Sequence, residues 1–249
     1  MAGRSHKTEA VVLRSFRFGE ADRVLHLYTL DHGRIGAVAK GVRKTKSRFG
    51  ARLEPLSHGE LLLHRGSGEL ETVTGVQLIR AHHAAREDFY RLSVGLIGAE
   101  AMLRLFSEQE ANERAFTALT RFLDHLDETP HASDRPALDP LGLSFQLKLL
   151  WLSGYLPHLT SCAECGADGL PLVGYSPRAG GAVCGACASR TEALAVSAEG
   201  IAGIEALLAS PLADAVPLDL SERARRDALR VVTASYEFHG GFRLRTLSA

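Results

Sequence analysis

The sequence predicts an α+β protein: a small five-stranded barrel at the N-terminus, then a helical domain interrupted by an inserted four-cysteine module. Three observations carry this expectation. Apolar residues follow a period of two through residues 1–80, and from about residue 84 the period lengthens to between three and four. All four cysteines then fall in one 26-residue window that has neither period.

The strands come first. Thr8–Arg14 holds Val11, Val12 and Leu13, Arg23–Leu30 alternates Val24, His26 and Tyr28 with Leu25 and Leu27, and Arg34–Ala39 carries Ile35 and Val38. Asp31-His32-Gly33 is the turn between the second and third. Glu60–Leu63 and Leu70–Val76 flank Arg65-Gly66-Ser67-Gly68, a glycine-rich hairpin loop. Five short strands with frequent glycines suit a small closed barrel of the OB or SH3-like kind, and strand count does not choose between them. Residues 1–80 are thus expected to form the first domain.

Residues 81–160 are expected to be the first part of a helical domain. Phe89, Leu92, Leu96, Ala99, Leu103 and Phe106 recur at helical spacing, as do Ala115, Phe116, Leu119, Phe122, Leu123 and Leu126. Glu87-Asp88 supplies negative charge at a helix N-terminus, where it meets the positive end of the macrodipole. Thr129–Pro140 reads as a linker. Leu141–Ser153, with Phe145, Leu149, Leu150 and Leu152, reads as a deeply buried helix, and His82-His83 as an exposed pair at the domain junction. After the insert at 161–192, residues 193–249 resume the helical pattern through Ile201, Ile204, Leu207 and Leu208. Ala224, Ala228, Leu229, Val232 and Tyr236 continue it, with Ser221 as N-cap and Gly240-Gly241 as the stop.

The cysteines are Cys162, Cys165, Cys184 and Cys187, a C-x2-C-x18-C-x2-C array with none left over. Each C-x-x-C turn presents two thiolates about as far apart as two corners of a tetrahedron, and a hairpin brings the pairs together, which is the spacing of a structural zinc site. Disulfides suit a secreted chain, and nothing here indicates secretion. A redox pair opens a helix, whereas these pairs flank a glycine-rich hairpin. Gly166 and Gly185 sit where the turns need unhindered backbone. Four thiolates leave one Zn2+ no open position for water or substrate, so the metal holds shape and does not catalyse.

The net charge of zero hides a polarity, because residues 1–80 hold 14 Lys and Arg against 8 Asp and Glu. Lys40, Arg43, Lys44, Lys46, Arg48 and Arg52 form a run without an acidic residue, a composition that attracts polyanions. Such a run is most often only a solvated face, but this one lies in a strand-rich unit and carries Phe49, a ring on which a base can stack. Phe16 and Phe18, between Arg14, Arg17 and Arg23, form a second interleaving, with at least one of the two expected in the core. Arg223, Arg226 and Arg230 share one face of the last helix and offer a second anion surface. No membrane span, signal peptide, phosphate loop, nucleophile elbow or H-E-x-x-H motif is found, which predicts a soluble intracellular protein that is not an enzyme.

Beyond these patterns, the residues themselves carry a likeness. Glu9-Ala-Val-Val-Leu-Arg-Ser15, Gly19-Glu-Ala-Asp-Arg23, Leu27-Tyr-Thr-Leu-Asp-His-Gly33, Ala39-Lys-Gly-Val-Arg-Lys44, Ser47-Arg-Phe-Gly50 and Leu53-Glu-Pro-Leu56 stand in the order and spacing of one bacterial family. Phe145–Pro157 leading into Cys162-Ala-Glu-Cys165-Gly166, then Gly180-Gly181-Ala-Val-Cys184, continue the likeness. Together they resemble the RecO family of recombination mediators. The resemblance implies an N-terminal OB-fold, a helical domain and a zinc-binding insert. It also implies binding of single- and double-stranded DNA, strand annealing, and a partnership with RecR and the single-stranded DNA-binding protein in loading recombinase onto gaps. A cytoplasmic, nucleoid-associated location follows from that role, and DNA contacts carry over to Lys40, Arg43, Lys44 and Arg48. The competing expectation is a zinc-stabilised protein adaptor with no DNA affinity of its own.

Overall fold

The computed structural model describes residues 4–45, 47, 49–130 and 134–247. Two compact units divide at Glu128/Thr129. A division at residue 80 by element type, strands before and helices after, is a different one, since the first three helices fall in the same unit as the strands.

In the first unit the strands are β1 (Arg4–Phe18), β2 (Asp22–Thr29), β3 (Gly33–Ala39), β4 (His58–Arg65) and β5 (Glu71–Arg80). They hydrogen-bond in the closed order β1-β2-β3-β5-β4, with β4 returning to β1. Every contact is antiparallel except the short one of β3 with β5, at Ala37 and Val38. Strand β1 closes the ring because it serves two neighbours: Arg4–Val11 pairs with β4, and Ala10–Phe18 with β2. Its register shifts between Val12 and Arg14, an irregularity of the kind that bends a strand around a barrel.

The interior is filled by Val12, Leu25, Leu27, Leu61, Leu63 and Val73, closed at one end by Leu53 and Phe49. Phe49 is therefore core and not a free stacking ring, because the 3-10 turn Gly50–Leu53 tucks it inward. Phe16 and Phe18 go the other way. Both are exposed, so the expectation that one lies in the core is wrong: after the register shift beyond Val12, Ser15 stands opposite the core residue Leu25, and Phe16 and Phe18 fall on the other face of the strand.

The helices of this unit are α1 (His83–Glu87), α2 (Phe89–Leu105) and α3 (Glu113–Glu128). Asp88 caps α2 by accepting from the Arg91 N–H at 2.8 Å. All six apolar residues expected on α3 are buried. On α2 the expected stripe is displaced: Val94, Ile97, Ala99, Ala101 and Met102 are buried, whereas Phe89 is 82% exposed. Small residues recruited into contact, Gly95 and Gly98 among them, turn a different face inward than the large ones suggest. His82 also departs from expectation. It is buried, with Nδ1 2.7 Å from the Leu56 carbonyl and Nε2 3.0 Å from the Asp124 carboxylate, so it fastens the barrel to α3.

The second unit is built on α4 (Pro140–Leu152), capped by Asp139 and so nearly buried all round that no single apolar stripe defines it. The module that follows holds β6 (Leu172–Ser176), β7 (Gly181–Cys184), the single turn α5 (Gly185–Ala188) and β8 (Leu194–Ala195), with sheet order β7-β6-β8. Then come α6 (Ala198–Ala209) and α7 (Glu222–Ser235), N-capped by Ser197 and Ser221. Lys148 of α4 donates from Nζ to the carbonyls of Leu207, Leu208 and Ser210 at 2.8–3.0 Å, satisfying the C-terminus of α6. Tyr175 of β6 meets Ser235 of α7 at 2.8 Å and ties the module to the helices. A π-turn over Tyr236–Gly240 follows α7, and Gly241 ends it. Of the linker expected at Thr129–Pro140, residues 131–133 lie outside the described residues, while Pro136–Leu138 forms a 3-10 turn. Among the described residues, no helix is long and apolar enough to cross a membrane.

Candidate metal centre and nucleic-acid interface

The fold delivers the four cysteines to one point. Cys162 and Cys165 lie on a turn closed by the Gly166 N–H donating to the Cys162 carbonyl at 2.8 Å, with Gly166 at φ +71°, a conformation that favours glycine. Gly185 does not repeat this role, since its φ is not positive and a side chain there would meet open space. Gly181 does carry a steric demand: a Cβ would overlap the His158 carbonyl, whose strand-like bridge holds the first cysteine turn against β7. The second pair, against expectation, does open a helix, with Cys184 as N-cap of the one-turn α5.

All four Sγ atoms lie within 4.8 Å of one another, and none is in a disulfide. Bonds of about 2.3 Å in a tetrahedral four-sulfur site put the sulfurs about 3.8 Å apart, so this donor set fits a thiolate-loving divalent metal. Three of the four cysteines are buried and Cys165 is exposed. Backbone N–H groups, above all that of Cys184 at 3.4 Å, pull the Cys162 thiol down to about 6 and so favour the thiolate a metal needs. Burial first, and then the neighbouring thiols, push Cys187 up to about 12. Arg190 donates to the Cys187 Sγ at 3.3 Å and brings positive charge to the cluster. The sequence reading missed it, although a guanidinium three residues after a cysteine in a helical turn is the available signal.

Of the basic residues, Lys40, Arg43, Lys44 and Arg52 are exposed, whereas Lys46 and Arg48 lie outside the described residues. The loop that carries them is braced to the β1–β2 turn. Arg43 donates from its main-chain N–H to the Ala21 carbonyl at 2.9 Å and from its guanidinium to the Glu20 carbonyl at 2.8 Å. Gly41 donates to the Asp22 carboxylate at 2.7 Å, which occupies that acid. At the opposite end of the barrel a cleft of about 560 Å³ is lined by Arg4, Arg65, Asp31, Glu71, His6 and His32. Its mixed signs make it unlike a polyanion surface.

Arg223, Arg226 and Arg230 are exposed on α7, but they do not form an open cationic face. Arg226 is paired with Glu222 at 2.6 Å, and Arg230 donates to the Ala195 carbonyl at 2.7 Å. Asp227, 3.6 Å from Arg230, is buried and accepts from the main-chain N–H and the hydroxyl of Ser197. Partners one turn or one element away decide how much charge these arginines show.

The chain thus combines a five-stranded N-terminal ring carrying a braced cationic loop with a helical unit whose four cysteines could hold a metal ion. Residues 1–82 match the family model for the N-terminal part of recombination protein O, and residues 86–248 match that for its C-terminal part. The chain is 38% identical over 235 residues to the DNA repair protein RecO of Rubrobacter xylanophilus, covering 93% of this chain and 90% of the relative. It is 39% identical to that of Frankia casuarinae, covering 94% and 93%, and 34% identical to that of Anaeromyxobacter dehalogenans, covering 96% and 92%. The chain belongs to the RecO family, whose role is in DNA repair and recombination.

Proposed function

We propose that this protein is a DNA-binding recombination mediator that binds single- and double-stranded DNA, anneals complementary strands and, with RecR and the single-stranded DNA-binding protein, helps load recombinase onto gaps. The observation that carries the reading is the exposure of Lys40, Arg43, Lys44 and Arg52, cations of a sequence run without an acidic residue, with Arg43 braced to the β1–β2 turn. Annealing brings two polyanions together, and side-chain cations that displace condensed counterions lower that repulsion. No bond is made or broken, so no catalytic group is needed. The barrel is read as an OB-fold, supported by its strand order and its single parallel contact. The metal is read as one structural Zn2+ on Cys162, Cys165, Cys184 and Cys187, supported by the all-thiolate donor set. In this reading residues 1–80 are the DNA-binding domain, 81–160 and 193–249 the helical domain and 161–192 the zinc insert, in a cytoplasmic, nucleoid-associated protein with no membrane partner.

Lys46 and Arg48 extend the same surface by sequence. The Arg223/Arg226/Arg230 face enters only as a second anion contact, because a phosphate that meets Arg226 has to displace Glu222. The deciding experiment is a salt titration of binding to both DNA forms. If about three cations of the loop meet phosphates, they account for a log–log salt slope of about −2 on single strands. Changing Lys40, Arg43 and Lys44 together to Ala then flattens the slope and weakens binding to both forms. Unchanged affinity and slope move the surface elsewhere, and no binding by the wild-type protein at low salt leaves the adaptor reading.

A further inference from the structure

Strand β1 runs on past its last β4 pairing, at Val11. Its residues Ser15–Phe18 form an edge arm of the barrel wall, paired with Asp22–Leu25 of β2, which itself pairs with β3 from Arg23 on, in the register Phe16↔Val24 and Phe18↔Asp22. Phe16 and Phe18 are 41% and 54% exposed, and their spacing of two residues puts both on one face of the arm. Arg14, next on that face, holds its guanidinium 5.9 Å from the centre of the Phe16 ring. The His26 ring meets Phe16 edge-on at 5.5 Å. Burial, reinforced by Arg14 and Arg34, holds His26 below the ordinary histidine pKa, so at neutral pH its ring is an uncharged flank.

Exposed single phenylalanines are ordinary on protein surfaces. Two on one strand face, bordered by Arg14 and lying beside the turn that braces Arg43, form a surface with both components a nucleotide needs: rings for bases and cations for phosphates. We infer that Phe16 and Phe18 are a base-stacking pair for single-stranded DNA, which crosses the arm while its phosphates reach Arg14 and the Lys40–Lys44 loop. Two residues along a strand span about 6.8 Å, twice the roughly 3.4 Å separation of stacked bases, so a nucleic acid that touches both rings has its bases drawn apart. A duplex, with its bases stacked on one another and turned inward, has no faces to offer. The arm thus distinguishes single from double strands, while the cationic loop does not.

The inference rests on the DNA-binding reading above, and the test separates the two. Binding of the full chain is measured by anisotropy to three probes: an oligothymidylate, an abasic strand of the same length, and a duplex. The wild type should prefer the oligothymidylate to the abasic strand. Phe16→Ala/Phe18→Ala should weaken oligothymidylate binding about 10- to 100-fold, with the abasic strand, the duplex and the salt slope unchanged. Phe16→Leu/Phe18→Leu keeps apolar volume on the arm without an aromatic face and should lose most of the same preference; Phe16→Tyr/Phe18→Tyr should retain it. Wild-type binding with unchanged oligothymidylate affinity in the Ala variant overturns the stacking pair alone. An equal loss on the abasic strand does so too, since it means the arm was only distorted. A wild-type chain that binds none of the three probes overturns both readings.

Discussion

In the barrel, Val12, Leu25, Leu27, Leu61, Leu63, Val73 and Phe49 meet in one interior, whereas the buried cluster around the cysteines is Val183 with Cys162, Cys184 and Cys187. The barrel draws its stability from apolar surface removed from water, contributed by every strand. The module has too little apolar surface for that. Its core atoms are thiols, which repel when ionised and pair poorly when neutral, so in the proposed reading a cation between them would supply what side-chain packing supplies elsewhere. The difference teaches that the two regions answer to different perturbations, although one chain carries both.

The largest effect should come from taking the metal away. Stripping the full chain with a chelator, or changing Cys184 to Ser, should abolish amide-exchange protection across residues 160–195 and leave the strands of 4–80 protected. Structural zinc contributes on the order of 10 kcal/mol to the folding of zinc-finger peptides. A module that stays protected when elemental analysis finds no metal would make its core apolar after all, and the contrast would collapse.

The converse perturbation is a cavity in the barrel. Leu27 is fully buried, and Leu27→Ala should cost about 2–5 kcal/mol, from lost burial plus the space left behind. Denaturant-dependent exchange should show the strands opening earlier while metal content is unchanged. Loss of metal in this variant would mean that the module depends on the barrel.

The smallest effect is the pH response of the barrel. His58 of β4 is held below the ordinary histidine pKa by burial, against the pull of its hydrogen bond to Glu9 at 3.0 Å. His82 and Asp124 also act on it, the first lowering and the second raising. The folded state therefore refuses a proton that the unfolded chain accepts. This contribution to stability is complete above a pH of about 6.5 and declines as the pH falls through that value toward the lower folded pKa. His58→Gln, which cannot titrate, should flatten the pH dependence of exchange in the strands; an unaltered profile would assign the response to other groups.

Phe49 and the Phe16/Phe18 pair show where sequence reading stops. All three sit among cations, and by local chemistry Phe49 was the better candidate for stacking. The 3-10 turn at Gly50–Leu53 folds it into the barrel, and the register shift in β1 leaves the other two on the outer face. Composition around a ring says nothing about which of its sides another segment covers. The stripe on α3 was legible because six large residues at one spacing outweigh any other face. That on α2 was not, because glycines and alanines let a partner approach from a different side.

By itself the sequence determined what depends on near neighbours and on chemistry. It determined the existence and order of the five strands, the serine cap at Ser221, and the meeting of two C-x-x-C turns, because strand period, capping groups and thiol spacing act over a few residues. Only the tertiary structure decided that the ring closes through a β1 shared by β2 and β4, that His82 is a buried clamp, and that Glu222 and the Ala195 carbonyl engage Arg226 and Arg230. Burial and pairing are properties of two surfaces, and the second surface in each case comes from elsewhere in the fold.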